Sequence, residues 1–81
     1  MESQEKYAAV FREIGARLKD LRKQHGLSQE DMLSFGFSTR HWQQVEAGRP
    51  TTLTTLLRVC DIFSVPPEVL LKGIYKPERR D

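Results

Sequence analysis

The sequence of residues 26–48 is GLSQEDMLSFGFSTRHWQQVEAG, and it predicts two short helices joined by a glycine-containing turn. Ser28 is suited to cap the first helix, because its hydroxyl can accept a hydrogen bond from an amide one turn further on. This helix is therefore expected to begin near Gln29 and to end at Gly36, since glycine favours the left-handed position just past a helix end. The span accommodates two helices of about two turns each.

The second helix of this stretch has its own start and stop signals. Ser38 or Thr39 can cap it, and Gly48 is expected to end it. Trp42 and Val45 are three residues apart, so they share one face of a helix. That apolar face is predicted to point into the core.

The opposite face of the second helix is polar and carries Thr39, Arg40, Gln43 and Gln44. These side chains match base edges, since arginine pairs bidentately with guanine, glutamine pairs with adenine, and a threonine methyl can contact the thymine methyl. The alternative is that these residues form only the solvated side of an amphipathic helix.

A longer part of the chain, from about residue 14 to residue 71, resembles the lambda-repressor-like (Cro/C1, or XRE) family of helix-turn-helix DNA-binding domains. The matching segments in chain order are IGARLKDLRKQHGLSQED, GFSTRHWQQVEAGRP, TLTTLLRVCDIFSV and PPEVLL. The resemblance implies an all-α, five-helix lambda-repressor-like domain, here with an extended first helix. In that family the third helix enters the DNA major groove, and many members bind operators as dimers.

The resemblance also implies roles for individual residues. The recognition helix would span about residues 39–47, with Thr39, Arg40, Gln43 and Gln44 contacting bases. Phosphate contacts are implied for Ser28, Gln29, Ser38, Arg49, Thr51 and Thr52, which would position the protein without specifying a sequence. Among these, Ser28 would offer its backbone amide, and Gln29 would also brace the third helix. Arg22 and Glu46 match a structural ion pair that joins the first and third helices in some family members.

One spacing departs from the family pattern. The family usually places the turn glycine eight positions after the glutamine of the second helix, whereas Gly36 is seven positions after Gln29. Removing one residue from a helix rotates all later residues by about 100°, so we expect the second helix to be shorter or distorted. Either Met32 or Leu33 would then occupy the crossing with the third helix.

The remaining segments predict one domain over residues 1–81, with residues 28–48 at its centre and frayed ends at 1–4 and 77–81. The first helix is expected to bury a stripe of Tyr7, Phe11, Ile14, Leu18 and Leu21 and to stop at His25 and Gly26. Thr52 can cap a fourth helix, whose apolar residues are Leu53, Leu56, Leu57, Val59, Cys60 and Phe63. Pro66 and Pro67 open a last short helix that runs through Leu71.

Composition narrows the function classes. The formal net charge is only +2, so composition by itself does not point to nucleic acid, but residues 39–60 contain three arginines and one acid. The single Cys60 and two histidines have no zinc-ligand spacing, so no metal or cofactor is expected, and we expect no enzyme activity. With no long apolar run and a polar N-terminus, the expected location is the cytoplasm. The family resemblance implies that this is the cytoplasm of a prokaryote or phage host, with the protein at the nucleoid when bound to DNA.

Apolar residues near the C-terminus have two possible uses. The cluster of Leu70, Leu71, Ile74 and Tyr75 is larger than a short last helix needs for itself. It can form the surface of a homodimer, or it can fold back over the first helix.

These observations support two functional hypotheses. The first is a sequence-specific, XRE-type DNA-binding transcriptional regulator whose partner is double-stranded DNA, a class that includes antitoxins and the controller proteins of restriction-modification systems. The second is a protein-interaction module of the same fold, which the low net charge and the shortened second helix favour. Arg40 and Gln44 distinguish them, because intramolecular bonds to both would weaken the first hypothesis.

Overall fold

The computed structural model describes residues 2–78, with side chains from residue 5 onward. Over these residues the chain is all-α, as expected, with five helices. They are α1 (Glu2–Gln24), the 3₁₀ helix η1 (Glu30–Phe35), α2 (Thr39–Glu46), α3 (Leu53–Phe63) and α4 (Pro67–Leu70). Of the ends predicted to fray, residues 2–4 continue α1, residues 77 and 78 are not helical, and residues 1 and 79–81 lie outside the described part.

The core lies where the second half of α1 meets α2 and α3. Ile14 and Leu18 of α1 are buried, as are Trp42 and Val45 of α2, so the predicted inward face of α2 is confirmed. Phe37 precedes α2 and packs edge-on against Trp42, with 5.2 Å between the ring centroids. The remaining buried hydrophobic residues are Met32, Leu56, Val59, Cys60, Phe63 and Leu70.

The backbones of α1 and α2 touch at Gly15. A Cβ atom there would lie 2.6 Å from the carbonyl oxygen of Glu46 and 2.7 Å from that of Val45. Both atoms belong to the main chain and cannot rotate away, so only glycine fits this crossing.

The predicted helix caps are present. The Ser28 hydroxyl accepts from the Asp31 amide at 3.1 Å, and the Asp31 carboxylate accepts from the Ser28 amide at 2.7 Å, which forms a reciprocal cap. Ser38 caps α2 by accepting from the His41 amide, and Gly36 has a φ of +89° after η1.

The shortened spacing before the turn appears as a change of helix type. Residues 30–35 form a 3₁₀ helix, which has three residues per turn and a steeper rise than an α-helix, so fewer residues cover the same distance. Met32 is fully buried while Leu33 is 64% exposed, so Met32 is the residue that packs inward at this crossing.

Three residues predicted to be in the core are exposed: Tyr7, Leu53 and Leu57. Tyr7 is on the first half of α1, which extends past α2 and α3, since a 23-residue helix is about 34 Å long. Leu53 and Leu57 are on the edge of α3, one turn apart, because five other side chains of α3 already fill its buried face.

The C-terminal apolar cluster folds back onto the domain. Leu70 is buried, and Leu71 and Ile74 pack half-buried against the core. Arg17 of α1 donates to the Leu70 carbonyl oxygen at 2.9 Å, which holds α4 against α1. Of the two uses expected for this cluster, the structure shows folding back onto the domain, and the homodimer stays a prediction. Only Tyr75 of the cluster is exposed, and its ring stacks on Tyr7 at 6.2 Å.

No helix in the described residues combines the length and the apolar character that crossing a membrane requires. Cys60 is buried in the core, and this burial raises the pKa of its thiol. A raised pKa reduces the thiolate fraction and with it the reactivity of the side chain.

Candidate nucleic-acid interface

The polar face of α2 is turned away from the core. Arg40 and Gln43 are exposed, and Thr39 and Gln44 are half-buried along the same helix. Within residues 5–78, the side chains of Arg40 and Gln44 make no hydrogen bond and no ion pair. Their donors and acceptors are therefore available to an external partner.

Gln43 is partly committed within the chain. Its Nε2 donates to Oε1 of Gln29 at 3.2 Å, which connects the exposed side of α2 to the residue just before η1. Gln29 in turn donates from Nε2 to Oε1 of Glu46 at 3.1 Å. Gln29 therefore braces α2 at two positions, and both ends of its side-chain amide are already engaged.

A buried cluster of Arg22, Gln29, Trp42 and Glu46 holds α2 in place. The Arg22 guanidinium donates to both Glu46 carboxylate oxygens, from Nε at 2.5 Å and from Nη2 at 3.1 Å. Trp42 Nε1 donates to the same carboxylate, and Arg22 Nη1 donates to the Leu27 carbonyl oxygen at 2.7 Å. The Arg22 and Glu46 side chains are only 8% and 4% exposed, so this is a buried ion pair between α1 and α2.

The charge on Glu46 is stabilised by its partners. Burial alone would raise the pKa of this carboxyl, but hydrogen bonds from Arg22, Gln29 and Trp42 outweigh it and hold the pKa below its usual value. Four donated hydrogen bonds satisfy the carboxylate. The helix that carries Arg40 and Gln44 is thus fixed by a charged, directional contact as well as by the packing of Trp42.

Besides Gln29, whose side-chain amide is engaged at both ends, two of the predicted phosphate residues are used inside the protein. The Ser28 amide, expected to face a phosphate, donates to the Asp31 carboxylate at 2.7 Å, and this bond lowers the pKa of Asp31. The Thr52 hydroxyl donates to Thr55 Oγ1 and accepts from the Thr55 amide, both at 3.1 Å. Both residues are helix caps, because their hydroxyls lie three residues before an amide that lacks a helical partner.

The other predicted phosphate residues are accessible. Ser38 and Arg49 are exposed and Thr51 is half-buried, although the Ser38 hydroxyl also caps α2 by accepting from the His41 amide. Arg49 comes directly after Gly48, at the end of α2 and at the start of the loop that leads to α3. Ser38 therefore lies just before the start of α2, and Arg49 and Thr51 lie just after its end.

Sequence reasoning missed two contacts at this site. The bond from Trp42 to Glu46 joins residues four apart on one helix, a spacing from which it could have been anticipated. Arg12 lies against Gly48, with its Cα atom 2.8 Å from where a Cβ of Gly48 would be. No local pattern predicts this second contact, because it joins α1 to the loop after α2.

Comparison with protein-family models gives a match to the family described as "Helix-turn-helix domain", of the Cro/C1 or XRE kind, over residues 13–71. The matched region contains η1, α2 and the whole buried cluster. Searches of curated proteins and of solved structures found no match.

Proposed function

We propose that this chain, which belongs to the helix-turn-helix domain family of the Cro/C1 or XRE kind, is a sequence-specific DNA-binding transcriptional regulator. In this proposal α2 enters the major groove and contacts base edges through Thr39, Arg40, Gln43 and Gln44. The proposal assigns the protein no catalytic step and places it in the cytoplasm of a prokaryote or phage host, at the nucleoid when bound.

One observation carries the proposal. Arg40 and Gln44 lie one turn apart on α2, and neither side chain is bonded to another described residue. The buried cluster fixes α2 from behind, so these two side chains start from a rigid helix. A fixed helix improves affinity because little conformational freedom is lost on binding.

The loop after α2 supports the same proposal. Arg49 is exposed beside the end of α2, and Ser38 is exposed at its beginning, so phosphates on either side of the groove can be contacted. Because the net charge is only +2, we expect few such contacts and a modest salt dependence of affinity.

The proposal includes a homodimer. A two-fold dimer would place two copies of α2 about 34 Å apart on one face of DNA and would match a palindromic operator. Sedimentation velocity over a range of protein concentrations, with and without operator DNA, measures whether the dimer forms free or on the operator.

The first test is selection of binding sites from a random duplex pool, with subsequent anisotropy titration of the selected site and of scrambled DNA. We expect an enriched motif that is bound at least about a thousandfold more tightly than scrambled DNA. Arg40→Ala should reduce the binding free energy for the selected site by about 1–3 kcal/mol and relax the preference at one base pair. Arg49→Ala should weaken binding to all DNA sequences alike. If both variants lost the same binding free energy on the selected site and on scrambled DNA, Arg40 would be a phosphate contact and would not read bases.

A second candidate function is a protein-interaction module of the same fold. The exposed Leu33 and Phe35 on η1 favour it, because two large apolar side chains on a six-residue segment are available to a protein partner. Absence of any enriched DNA motif would support this candidate. Within the DNA-binding class, an adjacent gene for a toxin or a restriction enzyme would identify an antitoxin or a controller protein.

A further inference from the structure

Arg12 lies at the junction between α1 and the loop after α2. If Gly48 carried a Cβ atom, that atom would lie 2.8 Å from the Arg12 Cα and 2.9 Å from its Cγ. The first part of the Arg12 side chain therefore runs directly over Gly48, and the residue as a whole is exposed. The next residue along the loop is Arg49, whose Cα atom is about 3.8 Å from that of Gly48.

Three exposed basic residues between positions 12 and 23 of α1 share one flank of the helix. At about 100° per residue, Arg12, Lys19 and Lys23 fall within about 40° of one another around the helix. All three are exposed. They lie next to the positions of Gly15 and Arg22, which contact α2, so this basic flank of α1 borders α2 and its loop. Between residues 12 and 23 the acids lie on another flank of α1, and they are Glu13 and Asp20.

We propose that Arg12 contacts a DNA phosphate beside the phosphate that Arg49 holds, so that α1 and the loop grip the same strand of the backbone. This inference rests on the proposed function, because it needs a duplex bound through α2. Successive phosphates of one strand are about 3.4 Å apart along the helix axis, so side chains rooted on either side of Gly48 can reach neighbouring phosphates.

The Arg12 guanidinium is available to an external partner as far as the described residues show. Within residues 5–78 it forms no hydrogen bond and no ion pair, and the adjacent Glu13 is bonded to Arg17 at 3.4 Å. A competing role is stabilisation of the end of α2, where carbonyl groups attract a cation. That role predicts a change in thermal stability, whereas a phosphate contact predicts a change in the salt dependence of binding.

The experiment compares Arg12→Gln with a matched control, Lys72→Gln. Lys72 is exposed just after α4, and α4 packs against Arg17 on another flank of α1, so the control removes one charge away from the loop. Affinities of wild type and both variants are measured by anisotropy at salt concentrations that span about a fourfold range. The probes are the site selected by wild type and scrambled duplex, and melting temperatures are measured in parallel.

We expect Arg12→Gln to weaken binding to both DNAs by a similar factor. The magnitude of this variant's slope of log affinity against log salt concentration should fall by about 0.9. Over the roughly fourfold salt range, its affinity should then fall about 3.5-fold less than that of wild type. Its melting temperature should match that of wild type, and Lys72→Gln should keep the wild-type slope.

A wild-type slope for Arg12→Gln overturns the inference, as does a lowered melting temperature with an unchanged slope. An equal change of slope in Lys72→Gln also overturns it, because the effect would then reflect net charge alone. If wild type binds no duplex, both the proposed function and this inference are wrong. If wild type binds its selected site while Arg12→Gln keeps the wild-type slope, only the inference falls.

Discussion

Replacing Glu46 with alanine should destabilise the domain severely. The change leaves the buried Arg22 guanidinium with the Leu27 carbonyl oxygen as its remaining acceptor among the described residues. It also removes the acceptor of Trp42 Nε1 and of Gln29 Nε2. Removing one partner of a buried ion pair costs about 3–5 kcal/mol, because the other charge stays buried without compensation. Domains of this length are stable by about 4–12 kcal/mol, so the loss is a large part of the total.

Urea denaturation measures this loss. Trp42 is the single tryptophan of the chain, so its fluorescence reports the unfolding of the core, and far-UV circular dichroism reports the helices. With a dependence on urea of about 1–3 kcal/mol/M, the midpoint of Glu46→Ala should fall by at least about 1 M. Agreement between the two signals is needed, because removal of the carboxylate beside the indole also changes the fluorescence of the folded state.

A surface ion pair provides the matched control. The Glu13 side chain is 55% exposed and lies 3.4 Å from Arg17, so Glu13→Ala should cost less than about 1 kcal/mol. Equal midpoints for Glu46→Ala and Glu13→Ala would refute the argument from burial. The double variant Arg22→Met with Glu46→Met tests the same reasoning, because it leaves no orphaned charge. A double variant less stable than Glu46→Ala would contradict the assumption that the unpaired guanidinium carries most of the cost.

The structure makes three further predictions. Since the folded-state pKa of Glu46 lies below its unfolded value of about 4.3, the contribution of Glu46 to the unfolding free energy should be fully present above about pH 5 and should be lost as acid protonates the folded carboxylate. Urea titrations from about pH 7 to about pH 3 measure this, and an unchanged midpoint at the acid end would contradict it. Gly15→Ala should lower the unfolding free energy by about 1–3 kcal/mol through its clash with α2. Gly26→Ala should lower it by about 1–2 kcal/mol, because a Cβ there meets no atom but the backbone is left-handed. Urea denaturation of the two variants measures these costs, and a Gly15→Ala midpoint equal to that of wild type would contradict the clash. Thr52→Ala should cost about 1 kcal/mol by removing the α3 cap, and an unchanged melting temperature would show that the Thr55 amide finds water instead.

The helix boundaries and the face of α2 were predictable from sequence. Caps such as Ser38 act on amides three residues away, and Gly36 acts through its own φ, so both signals are local. The spacing of Trp42 and Val45 identified the buried side of α2, and by exclusion the outward side of Arg40 and Gln44. The one-residue shortening also predicted a distorted second helix, which is the 3₁₀ helix η1.

The tertiary structure decided which polar groups are already engaged. Ser28 was expected to offer its amide to DNA, and Gln29 its side chain. Asp31 takes the amide of Ser28, and Glu46 and Gln43 take both ends of the Gln29 side chain. Whether a polar side chain remains free to bind DNA depends on which donors and acceptors of other segments lie next to it. Neither the residue type nor the spacing in the sequence predicts those neighbours.

The sequence by itself therefore determined the helices, their caps and the buried face of α2, because helix starts, stops and faces depend on residues within a few positions of one another. Only the tertiary structure decided that Leu70, Leu71 and Ile74 pack on the core while Tyr7 is exposed, and that Arg12 lies over Gly48. These outcomes depend on where α1 extends past α2 and on how closely the two helices approach at Gly15. Such distances arise from the packing of the whole chain, which no short segment of sequence contains.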